Sequence, residues 1–171
     1  RDQDYRLTTH GFAPDRIFQL SRQDSSCLEL HLTDDAETMQ AWPFQFDLQI
    51  RFDLEGPVLR QSYAVRNRGL EEMYFSIGFH PGFRCPLQEG ERFEDYAIRF
   101  ERPEILPRHE LRDGLRSGNT IPFLHNSLEF SLDKGLFDGG AIALQGPASR
   151  WVDMWYPSTG HGVRCGIEGF S

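Results

Sequence analysis

Between positions 44 and 54 the chain alternates without a break: Phe44, Phe46, Leu48, Ile50, Phe52 and Leu54 are apolar and every residue between them is polar. A repeat of two sends alternate side chains to opposite faces, so this stretch predicts a strand with one buried face. Glu55-Gly56-Pro57 interrupts it, and Leu59, Tyr63 and Val65 then restore the alternation. That order predicts an antiparallel hairpin, with Asn67-Arg68-Gly69 as the next turn. Shorter candidate strands lie at 17–20, 27–32, 73–77, 96–100, 128–132, 141–144, 151–155 and 163–167. Many short strands split by Gly, Pro and Asn predict an all-β, mostly antiparallel protein.

Helical signal is confined to residues 33–39, where Thr33 or Asp34 is positioned to cap one or two turns. Residues 103–126 carry Pro103, Pro107, Gly114, Gly118 and Pro122 among scattered charges, which predicts a long surface excursion. With 171 residues, 39% hydrophobic, the chain can bury a core of domain size. Its net charge of -8 argues against a nucleic-acid partner, because a phosphate backbone is gripped by a basic face. No run is long and apolar enough to predict a membrane span. Cys27, Cys85 and Cys165 are odd in number and widely spaced, so neither a disulfide framework nor a metal site is predicted. A reducing, cytoplasmic compartment is the expectation that follows.

Chemistry enters with two histidines set in strand-like surroundings, His10 in His10-Gly11-Phe12-Ala13 and His80 in Phe79-His80-Pro81-Gly82-Phe83. Imidazole exchanges protons near neutrality without extreme tuning, so a pair of them suggests acid–base work. A histidine before proline is equally a turn residue on its own chemistry. His31, His109, His125 and His161 read as surface or turn residues.

These two segments, together with Trp42-Pro43-Phe44-Gln45-Phe46 and Tyr63-Ala64-Val65-Arg66-Asn67, resemble the aldose 1-epimerase (galactose mutarotase-like) family, in its LacX-like branch. The Leu136-Phe137 element and residues 149–170 follow the same order. The resemblance implies a β-supersandwich in which residues 1–171 form one galactose mutarotase-like domain, lacking the family's first strands and its C-terminal segment. It implies interconversion of the α and β anomers of a hexose, with no metal and no organic cofactor. His80 inherits the role of general acid and His10 that of a second histidine at the ring oxygen and hydroxyls. Phe79, Phe83 and Trp42 are candidates for an apolar wall against the sugar.

Three positions depart from the pattern. Pro14 stands where the branch has an arginine, with Arg16 two residues on. Gly140 stands where an acidic residue is usual, leaving Asp138 as the candidate ligand for a sugar hydroxyl. The family's catalytic glutamate is expected beyond Ser171, and Glu168 is the weaker alternative. The expected partner is a monosaccharide, with a homodimer as a further possibility. Two rival readings stay open: a sugar-binding or sensing module without catalysis, and a hexose-6-phosphate mutarotase using Arg16 and Arg84.

Overall fold

The computed structural model describes residues 4–169, and the chain divides into two compact units at the Phe79–His80 junction. Each unit carries one four-stranded antiparallel sheet.

The first sheet follows chain order: β1 (Gln19–Gln23), β2 (Cys27–Thr33), β3 (Phe46–Glu55) and β4 (Val58–Asn67). The predicted hairpin is β3–β4, whose register brings Leu48 opposite Val65 and Ile50 opposite Tyr63. Its loop is the pair Gly56-Pro57, and Gly56 adopts φ +56°. A positive φ first and a proline φ second is the pattern of a type II′ turn, whose twist suits antiparallel strands. Leu32, Phe46 and Leu48 are buried, and Phe12, Phe18, Trp42, Met73 and Ile77 pack against them. Burial of each large apolar side chain contributes roughly 2 kcal/mol. The opposite face of β3 is polar, with Arg51 forking onto Asp53 at 2.8 Å through two nitrogens.

Helix α1 (Ala36–Ala41) is as short as expected, but its cap is Asp35, not Thr33 or Asp34. Thr33 is consumed by pairing with Asp47 and Asp34 accepts from the Phe46 amide, so the first free carboxylate is one residue later. Asp35 accepts from the amides of Glu37 and Thr38, and the Thr38 hydroxyl accepts in return from Asp35 N–H.

The second sheet has the order β6-β5-β7-β8, with β5 (Ala97–Arg112), β6 (Leu115–Ser131), β7 (Trp151–Trp155) and β8 (Gly162–Gly166). Here the expected surface excursion at 103–126 is corrected: it is most of a long β5–β6 hairpin. Asp113 and Gly114 both take positive φ, 51° and 77°, as a type I′ turn requires. The prolines are tolerated because β7 accompanies β5 only from Ala97 to Phe100, while β6 is the outer strand. Register slips near Pro103 and Pro107 absorb the missing donors.

Residues 73–77 lie outside any strand, and 141–144 contribute only a single bridge, Ala143 to His109. Met73 and Ile77 are apolar because they pack on the first core, not because they pair. All three cysteines are free thiols. Among the described residues no helix is long and apolar enough to cross a membrane, and no cluster of metal-ligating side chains occurs.

Candidate active site

His10 sits in a tight turn ahead of the first sheet. The Gly11 amide donates to the Thr8 carbonyl at 2.9 Å, and the Thr8 hydroxyl donates to the Gly11 carbonyl at 2.5 Å. Gly11 has φ +69°, a left-handed conformation that a side chain would strain. The glycine of the motif therefore serves to turn the chain at the histidine. His10 is exposed and lines an open concavity of about 400 Å³ with Thr8, Thr9, Gly11, Pro14 and Asp15.

The turn is anchored on both sides. Phe12 enters an aromatic cluster, with ring centroids 5.8 Å from Trp42 and 5.5 Å from Phe46. Arg16 reaches α1, bonded to Glu37 and 3.9 Å from Asp35. The Glu37 bond raises the Arg16 pKa above its ordinary value. With its guanidinium held by two carboxylates, Arg16 is poorly placed to grip a phosphate.

Trp42 is half-buried in an aromatic cluster. Its ring lies 5.2 Å from Phe44 and 5.4 Å from Phe46, and its indole Nε1 donates to the Tyr74 carbonyl at 3.2 Å. Phe79, the last residue of the first unit, is 41% exposed. Such an exposed ring is available to a ligand's apolar face.

His80 opens the second unit and is exposed, as are Phe83 and Arg84. Asp138 ends a 3-10 turn, Lys134–Phe137, capped by Asp133, and its side chain is exposed. Two residues on, Gly140 adopts φ +91° and donates its amide to Phe137 at 2.9 Å. An acidic residue at 140 would be strained in that conformation, which accounts for the glycine. Glu168 lies beyond β8 and is exposed.

One cluster in the second unit had no local sequence signal. His161 Nε2 lies 3.2 Å from both Glu91 Oε1 and the Tyr96 hydroxyl, and its Nδ1 lies 2.5 Å from the Thr159 hydroxyl. The Tyr96 hydroxyl donates to Glu91 and accepts from the Leu87 amide at 2.9 Å. Burial pushes the Tyr96 phenol up. Burial also pushes the Glu91 carboxyl up, but the bonds from Tyr96, the Gln88 amide and His161 outweigh it and leave it below its ordinary value. Tyr96 and His161 are far apart in sequence, and only the strand pairing of β5, β7 and β8 brings them together.

Comparison with known proteins gives the chain a family and a fold. The family model described as aldose 1-epimerase matches residues 1–140. The chain is 33% identical over 168 residues to the plasmid and chromosomal forms of protein LacX from Lactococcus lactis subsp. lactis, covering 96% of this chain and 56% of each relative. A galactose mutarotase-like protein from Lactobacillus casei has a similar structure, with TM-score 0.86, 27% identity, and coverage of 97% of this chain and 57% of that one. A galactose mutarotase related enzyme from Lactobacillus acidophilus follows, with TM-score 0.80, 25% identity, and coverage of 90% and 52%. The chain thus spans a little over half the length of these relatives. The all-β, antiparallel fold class expected from the sequence is that of galactose mutarotase-like proteins. By its sequence match and by its fold, this chain belongs to the aldose 1-epimerase family, among its LacX-type members.

Proposed function

We propose that the protein containing this chain is a hexose mutarotase, and that residues 1–171 form part of one galactose mutarotase-like domain. Family membership supports the reaction class. The single observation that carries the reading to residues is the exposed His10 on an open concavity, at the family's His-Gly-Phe-Ala motif.

In the proposed reaction a carboxylate removes the proton from the C1 hydroxyl of the sugar while the His80 imidazolium protonates the ring oxygen. The bond from C1 to the ring oxygen breaks and C1 becomes an aldehyde. Rotation about the C1–C2 bond presents the other face, and reclosure returns both protons to the groups that exchanged them. His10 holds the ring oxygen and a neighbouring hydroxyl, Phe79 covers the sugar's C–H face, and Asp138 accepts from a hydroxyl. A monosaccharide and a cytoplasmic setting belong to the same proposal.

The test is optical rotation of freshly dissolved α-glucose or α-galactose, followed with the intact protein and with His80→Ala. Catalysis by the first and its loss in the second is the expected result; a buffer rate for both, at high protein, removes the claim.

A second reading, a sugar-binding module without catalysis, is favoured by the strained-for-acid position at Gly140. Saturable sugar binding by calorimetry with no rate enhancement would select it. The phosphate-sugar reading is weakened by the engagement of Arg16 with Glu37.

A further inference from the structure

We infer that Trp42 is a positioning residue of the proposed site, fixing both the turn that carries His10 and the segment that runs into His80. The inference rests on the mutarotase reading for its activity arm only.

Trp42 follows α1 directly, its amide closing the helix on the Thr38 carbonyl at 2.7 Å. One face of the indole meets Phe12, two residues after His10. The indole N–H bonds the carbonyl of Tyr74. Residues 73–77 belong to no strand, so no ladder engages their backbone polar groups, which water or a side chain must meet. The indole satisfies one of them, between Met73 and Ile77, which are both seated on the Leu32, Phe46 and Leu48 core. Ile77 is three residues before His80, a reach of no more than about 10 Å of chain. A shift of this one ring therefore reaches both the turn that carries His10 and the 73–77 segment that precedes His80 in the chain.

A plain core role would need only the ring's bulk. Positioning needs the N–H as well, because among aromatic side chains of this size only indole offers a broad apolar face and a donor on its edge. Trp42→Phe separates the two: it keeps most of the packing and deletes the bond to Tyr74.

The experiment measures, for intact wild type, Trp42→Phe and a control, Trp155→Phe, the mutarotation kcat and KM and the His10 and His80 ring resonances by NMR, assigned through histidine variants. Trp42→Phe is expected to remain folded, to lose about tenfold in kcat with KM within about twofold, and to displace both ring resonances. The control, in the other sheet, is expected to leave them in place. Wild-type kcat and unmoved resonances in folded Trp42→Phe would overturn the inference. If wild type itself has no mutarotase activity, the proposed function fails, and the resonances still decide the positioning claim. Should Trp42→Phe not fold, Phe12→Leu carries the test: a displaced His10 resonance supports the inference and an unmoved one defeats it.

Discussion

Arg99 and Asp153 face each other directly across the β5–β7 ladder, with Arg99 Nη2 2.8 Å from Asp153 Oδ2. From the other side Arg164 on β8 forks onto the same carboxylate at 2.7 and 3.0 Å. The two guanidiniums lie over indoles, Arg99 at 3.9 Å from Trp155 and Arg164 at 3.5 Å from Trp151. The bonds from Arg164 and then Arg99 outweigh burial and hold the Asp153 carboxyl below the usual carboxylate range.

Removal of that carboxylate strands two cations against a sheet. Asp153 is 5% exposed, and Asp153→Ala is expected to cost about 3 kcal/mol in urea unfolding. Asp153→Asn, which keeps an acceptor, is expected to cost less.

A second carboxylate predicts how the protein responds to acid. Glu101 accepts from the Arg150 side chain at 3.0 Å and from its amide at 2.9 Å, and these bonds lower its pKa to about 2. A group depressed by folding stabilises fully above its unfolded pKa, and that stabilisation disappears as pH falls through the folded value. Thermal midpoints are therefore expected to fall between about pH 4.5 and pH 2, and Glu101→Gln is expected to flatten that part of the curve.

Gly162, where β8 meets β7, is a position that tolerates no side chain. A Cβ on Gly162 would collide with the Met154 carbonyl oxygen and lie 2.7 Å from the Trp155 Cα, both rigid backbone. Gly162→Ala is expected to cost about 2–4 kcal/mol and to speed amide hydrogen exchange in β7 and β8, where Trp155 and Gly162 pair.

For His10, loss of a substrate ligand predicts an effect on binding more than on turnover. His10→Asn is expected to raise KM about tenfold with kcat changed less than about threefold, measured from initial rates of optical rotation. An unchanged KM would remove His10 from the sugar.

Elements whose signal is local were legible in the sequence. The β3–β4 hairpin followed from unbroken alternation and the Gly56-Pro57 turn, and β7 from a short apolar run at 151–155. The β5–β6 hairpin was missed because proline weighs against a strand until the pairing is known, and pairing is not local. The run at 73–77 erred the other way: its apolar residues pack on a core without joining a ladder. The segment around His10 was singled out by its imidazole and its resemblance to a family motif, and the structure adds that Gly11 turns the chain there, whereas the cluster of Glu91, Tyr96 and His161 is assembled from segments far apart in the chain.

The prolines of the long hairpin have a further consequence. Past Phe100, β5 has lost its ladder with β7 and keeps on that side the bonds of Arg102 to Ser149 and of His109 to Ala143, while β6 is the outer strand of the described sheet, so both leave parts of an edge without a partner strand. Such margins invite a foreign strand to zip on and begin a fibre. Pro103, Pro107 and Pro122 each delete a donor from the row, and the slipped register breaks its spacing. The residues that disguised this hairpin in the sequence are those that guard it from sheet growth between molecules.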